Sequence, residues 1–244
     1  MIRFILAIIF LIPIVLVACI LLPIEWIIGK CNKRAKDYSS LRFVQGIFRI
    51  LLWVSGVKVT IKGKENIPEE TALYVGNHRS IFDILILYTQ CKNLTGFVAK
   101  DSVEKLPVFR NWMRNLYCLF LNRSDIKQGL QVILQAIDYV KKGISICIFP
   151  EGTRNKGNEL ELLPFKEGSF KISLKTGCPI VPVAMNRTAD IFESHFPKIK
   201  KTHVILEYGT PIYPKDLSRD EQKTIGATCQ NIIQEMLIKN AEQV

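Results

Sequence analysis

The sequence predicts an α/β domain, a mixed sheet covered by helices, preceded by an N-terminal membrane helix and an interfacial helix. Three observations lead there. From residue 57 onward, short runs with strand periodicity alternate with runs of helical periodicity, the order from which parallel or mixed sheets are built. Ile144-Ser145-Ile146-Cys147-Ile148-Phe149 is apolar and rich in β-branched residues, as a strand buried on both faces must be. Residues 4 to 24 carry no charged side chain at all.

That uncharged run comes first. At ~1.5 Å per residue it makes a helix of about 30 Å, the thickness of a bilayer core. Arg3 precedes it, while Lys30, Lys33, Arg34, Lys36, Arg42 and Arg49 follow it. The basic excess on the far side puts the rest of the chain in the cytoplasm. A cleaved signal peptide would need a small-residue cleavage site, and Leu21-Leu22-Pro23-Ile24-Glu25-Trp26 offers none. A second apolar stretch, Phe43 to Val59, is interrupted by Arg49 and Lys58. Its Phe43, Ile47, Ile50, Leu51 and Val54 fall near helical spacing, which suits an interfacial helix or one packed on the catalytic domain. The chain is accordingly divided into membrane-anchoring helices with a basic linker (1–56) and an α/β domain (57–244).

Within the domain, Val57 to Gly63 alternates apolar and polar residues, the mark of a half-buried strand. Ala72 to Val75 is a second strand, and Ser80 to Tyr88 a helix. Thr95 to Ala99 reads as a strand, Pro107 to Leu116 as a helix opened by proline, and Cys118 to Leu121 as a strand. Ile126, Leu130, Ile133, Leu134, Ile137 and Val140 keep helical spacing behind Asp125 as a cap. After the apolar strand at 144–149 come a helix from Gly168 to Thr176 with Gly177 beyond its end, then strands at Pro179–Met185 and His203–Tyr208. Ser218 and Glu221, in capping-box spacing, open a last helix that runs to about Asn240.

Composition narrows the class of partner. Against 33 Lys and Arg stand 22 Asp and Glu, a formal charge of +11. Such a surface is drawn to nucleic acid or to an anionic bilayer, and the uncharged N-terminal run selects anionic membrane lipids over nucleic acid. The seven cysteines show no Cys-x-x-Cys pair and read as reduced, buried, small hydrophobes. With His78, His195 and His203 as the only histidines, no zinc spacing exists, and neither a metal nor another cofactor is expected.

Two loops carry the chemistry. Asn77-His78-Arg79-Ser80-Ile81-Phe82-Asp83 leaves the strand that ends at Val75. Acyl transfer to an alcohol needs a base for the hydroxyl proton, and neutral imidazole is matched to pH 7. His78 would stand before a helix N-terminus, whose dipole favours the uncharged ring, and Asp83 one turn on could hold the ring's other nitrogen. Ser80 and Asp83 also fit a plain capping pattern, and Ser80 lacks the Gly-x-Ser-x-Gly elbow of a covalent nucleophile. The second loop, Phe149-Pro150-Glu151-Gly152-Thr153-Arg154-Asn155, leaves the most apolar strand, and Arg154 there suits bidentate capture of a phosphate.

Together the two loops resemble a known pattern. The first is similar to the Asn-His-x-x-x-x-Asp motif of glycerolipid acyltransferases related to 1-acylglycerol-3-phosphate acyltransferase, and the second to their Phe-Pro-Glu-Gly-Thr-Arg-Ser block. Phe120-Leu121-Asn122-Arg123 between them, and Ile180-Val181-Pro182-Val183 after them, resemble two further blocks in the right order. Asn122 stands where that family often has aspartate, and Asn155 replaces its usual serine. The resemblance implies the family's fold, His78 as general base with Asp83 as its partner, and a glycerol-phosphate pocket formed by Arg123, Glu151, Gly152, Thr153 and Arg154. It adds Lys100 as a candidate phosphate contact and leaves Pro182 a structural role in a loop beside the donor.

The expected reaction moves a fatty acyl chain from acyl carrier protein or coenzyme A onto lysophosphatidic acid, at a cell membrane with the catalytic domain on the cytoplasmic side. The same residues would serve glycerol 3-phosphate or another lysophospholipid. A noncatalytic phospholipid-binding module is the reading of a different class, and the presence of both His78 and Asp83 speaks against it.

Overall fold

The computed structural model describes residues 2–244 and places seven strands in one sheet between two layers of helices. The strands are β1 (Lys58–Lys62), β2 (Leu73–Gly76), β3 (Thr95–Lys100), β4 (Leu119–Leu121), β5 (Ser145–Ile148), β6 (Ile180–Asn186) and β7 (His203–Tyr208), in the order β1-β7-β6-β2-β5-β3-β4. Every pairing is parallel except β6 with β7, so the sheet is mixed, as the sequence predicts. Pro182 lies inside β6 rather than in a loop. Its carbonyl accepts the Gly209 N–H at 2.8 Å, but its ring nitrogen has none to give back. The β6–β7 pairing therefore begins at Val183, where a proline costs no rung.

Alternation along the central strands fills both faces. Leu73, Val75, Ile146, Ile148, Ile180 and Ala184 pack against α5 (Ile126–Lys141), α6 (Lys171–Thr176) and α8 (Ile225–Ala241), through Val132, Ala136, Ile172, Ile233 and Leu237. Cys147, Val181, Val183 and Met185 point the other way, onto Phe82 and Ile86 of α3 (Ile81–Gln90) and Trp112 of α4 (Pro107–Asn115). The predicted last helix is two. Thr224, at φ −108° and ψ 11°, separates α7 (Arg219–Lys223) from α8. The break turns Ile225, Cys229, Ile233 and Leu237 of α8 to the sheet, while α7 keeps no buried residue.

Two further helices lie outside α3 and α4. The first, α1 (Ile2–Cys31), has a mean hydropathy of 3.4 over its most apolar stretch and is long and apolar enough to cross a bilayer. The second apolar stretch belongs to α2 (Lys33–Ser55), which begins at Asn32, whose side chain accepts the Ala35 N–H, and ends at the left-handed Gly56. It packs on the domain with Leu41, Val44 and Leu52, and leaves Ile50 and Trp53 outward. Gln45, fully buried, donates to the carbonyls of Tyr88 and Cys91 at the end of α3, at 3.1 and 2.8 Å. Helix α1 runs back along α2. Arg3 lies over Gly56, Glu25 accepts the Ser39 hydroxyl at 2.8 Å, and the Ala18 carbonyl accepts the Trp112 indole N–H at 3.2 Å. The seven thiols are free; Cys19 and Cys31 are exposed on α1, against the expectation of burial, because α1 presents most of its surface outward.

Candidate active site

Strands β2 and β5 are neighbours and end at the same edge of the sheet, so the two loops that leave them meet. Asn77 fixes the first. Its side-chain amide donates to the Met185 carbonyl and its oxygen accepts the Met185 N–H, each at 2.9 Å. The pair imitates a ladder rung, so β6 stays paired while the chain turns away. His78 follows, 6% exposed, its ring stacked on Phe149 at 4.4 Å. Its N–H donates to Glu151 Oε1 at 2.7 Å, and its carbonyl accepts the Asn155 N–H at 2.7 Å.

Asp83 is buried and works through one oxygen. Oδ2 lies 2.8 Å from His78 Nδ1 and accepts the N–H groups of Arg79 and Ser80 at 2.7 and 2.8 Å. The capping pattern and the dyad are thus the same carboxylate: Ser80 caps α3, Asp83 reaches back to it, and the His78 ring joins on. With Asp83 ionised, Nδ1 carries the ring proton and Nε2 keeps its lone pair. A ring in that tautomer can accept a proton at Nε2.

The second loop is built around Gly152, whose φ of 70° is open to glycine at little cost and whose N–H closes a turn onto Phe149 O at 3.0 Å. Glu151 is buried, accepting the His78 N–H and, on its other oxygen, the Leu163 N–H at 3.1 Å. Burial pushes its carboxyl above the ordinary range, and those two N–H groups pull it partly back. Arg154 is half exposed and donates to Glu193 at 3.1 Å. Arg123, in the loop after β4, has its guanidinium pKa lowered by burial and then by the charge of Arg154.

The comparisons follow the same blocks. The Acyltransferase family model matches residues 58–186. The chain belongs to the acyltransferase family. The 1-acyl-sn-glycerol-3-phosphate acyltransferase of Borreliella burgdorferi is 31% identical over 207 residues, 84% of this chain and 80% of that one. The enzyme of the same name from Haemophilus influenzae is 28% identical over 94% of this chain and 95% of that one. The crystal structure of the 1-acyl-sn-glycerophosphate (LPA) acyltransferase PlsC from Thermotoga maritima shares the fold, with a TM-score of 0.81 at 24% identity over 98% of this chain and 93% of that one.

In this acyltransferase His78, Asp83, Glu151, Gly152 and Arg154 come together, with Arg123 close enough to sense Arg154. Thr153 is exposed in the turn, and Lys100 ends β3 on an exposed position, bonded to none of the others. One residue has no counterpart among the predicted ones. Glu193 accepts the Ser80 hydroxyl at 2.5 Å, the Ile81 N–H at 2.8 Å and Arg154. It lies beyond the last motif, in a short 3₁₀ turn (Glu193–His195). A single acid in a loop gives no spacing to read.

Proposed function

We propose that this acyltransferase moves a fatty acyl chain from a thioester of acyl carrier protein or coenzyme A to the sn-2 hydroxyl of 1-acylglycerol 3-phosphate, giving phosphatidic acid. The names of its relatives support the acceptor, and the His78 Nδ1 to Asp83 Oδ2 contact of 2.8 Å supports the chemistry. Arg123 and Arg154 hold the acceptor's phosphate, with Lys100 adding positive charge at the same edge of the sheet. His78 Nε2 takes the hydroxyl proton as the oxygen attacks the thioester carbonyl. The C–S bond then breaks, and the imidazolium returns the proton to the departing thiolate. Glu151, Gly152 and Thr153 shape the turn that presents Arg154. Ser80 forms no covalent intermediate: it stands in no Gly-x-Ser-x-Gly elbow, and its hydroxyl oxygen accepts the Phe82 N–H as the cap of α3.

Residues 1–56 serve as the membrane attachment of the 57–244 domain, with the basic residues from Lys30 to Arg49 against anionic headgroups of a cell membrane and the domain on the cytoplasmic side. The decisive measurement is free-thiol release from an acyl thioester by purified protein in detergent, with and without lysophosphatidic acid. Release that requires the acceptor supports the reading. Release without acceptor would make the protein a thioester hydrolase.

A further inference from the structure

Three donors converge beside His78: the Ser80 hydroxyl, the N–H of Ile81 in the first turn of α3, and the Arg154 guanidinium. Each is a group that grips an oxyanion. The first amides of a helix have no partner within it and sit at its positive end, and a guanidinium is matched to phosphate oxygens. In the structure one carboxylate, Glu193, takes all three, at 2.5, 2.8 and 3.1 Å. Its side chain is 21% exposed, so this cradle opens to solvent.

We propose that Glu193 is a placeholder, which occupies the acceptor-phosphate cradle of the empty enzyme and is displaced when the acceptor binds. The proposal rests on the reading above, in which Arg154 holds that phosphate. A phosphomonoester carries a charge of about −1.5 to −2 at pH 7 and three strong acceptor oxygens. It cannot share the cradle with a carboxylate of the same sign. Two things follow. In the empty enzyme Glu193 keeps Arg154 and the start of α3 in binding geometry. It also sets a threshold, because a phosphodiester headgroup, with one charge and fewer free oxygens, displaces it poorly. Glu193 thereby selects for acceptors with a terminal phosphate.

The test uses inorganic phosphate as the probe and thermal stabilisation of the purified full chain as the readout. Wild type, Glu193→Gln, Glu193→Ala and Glu193→Gln with Arg154→Ala are each measured against their own phosphate-free baseline. Apparent affinity is reduced by the fraction of molecules whose site is free. If Glu193 fills the cradle in about nine molecules of ten, removing it tightens phosphate binding up to ~10-fold in the Ala variant and less in the Gln variant, whose amide oxygen still accepts from the cradle, and removing Arg154 abolishes the gain. Unchanged or weaker phosphate binding in the Gln and Ala variants overturns the proposal and makes Glu193 a fixed support. Acyl transfer provides the second arm. The KM for lysophosphatidic acid falls in the Gln variant, and a phosphodiester lysophospholipid becomes a measurable acceptor. Should the wild type fail to acylate lysophosphatidic acid, the proposed function is wrong, yet the phosphate series still decides the placeholder.

Discussion

Asp83 spends one oxygen on three donors, and that economy ties the start of α3 to the orientation of His78. If Nε2 is the base, His78→Ala loses ~10²–10⁴-fold in turnover with no matching change in acceptor KM. Arg154→Ala gives the opposite split, raising the acceptor KM by roughly 10-fold or more, as befits a lost charged hydrogen bond. Steady-state kinetics on the two variants separates the roles, and a shared effect on KM alone would remove His78 as the base. Glu151 yields a pH signature. Its carboxyl is held above the ordinary value of about 4.3, so the stability it confers is complete below that value. It is then lost as pH rises through the raised value, and Glu151→Gln should flatten that part of the melting-temperature profile. The His78–Asp83 pairing was legible because it is local, five positions apart on a strand–loop–helix junction. Glu193 was not, because its partners lie 113 and 112 positions away and no pattern in the sequence records that distance.

The first strand was legible from alternation, the central ones from short apolar, β-branched runs, and most helices from spacing and caps, because all these signals are local. Their packing is another matter. Helix α2 has an apolar stripe that would suit a membrane surface, yet Gln45 on its buried side caps α3 by binding two of its final carbonyls. A glutamine in an amphipathic run reads as an outward residue, and only the position of α3 makes it an inward one. Gln45→Ala removes both hydrogen bonds and strands the Cys91 carbonyl, while the Tyr88 carbonyl keeps the Cys91 N–H at 3.2 Å, a loss of ~1–3 kcal/mol for the one unsatisfied group. Chemical unfolding measures it; a variant as stable as wild type would show that α3 holds its own end. The split at Thr224 escaped notice for a similar reason: the helical pattern continues across it, and the sheet decides which side turns inward.

At the scale of the molecule, the proposed hold on a bilayer has two sources, and salt distinguishes them. The +11 charge is screened over about 3 Å at 1 M salt, whereas burial of the apolar α1 is not screened. The full chain should therefore stay with anionic vesicles when salt is raised to about 1 M, and a variant with charges in the exposed face of α1, such as Leu16→Glu with Ile12→Glu, should be released. Flotation tests both, and release of the unaltered chain would leave α1 without an anchoring role. Strand order was beyond the sequence, since β5 enters between β2 and β3 by a crossover that no local pattern encodes. The Asn77 rung has a wider consequence. Because it welds the His78 loop to β6 at Met185, the rear wall of the site shifts only if the sheet itself frays. The front wall, where Glu193 sits, hangs on short 3₁₀ turns between β6 and β7. Such an enzyme can drift toward new acceptors by rewriting one wall, while the other keeps the reaction intact through every intermediate sequence.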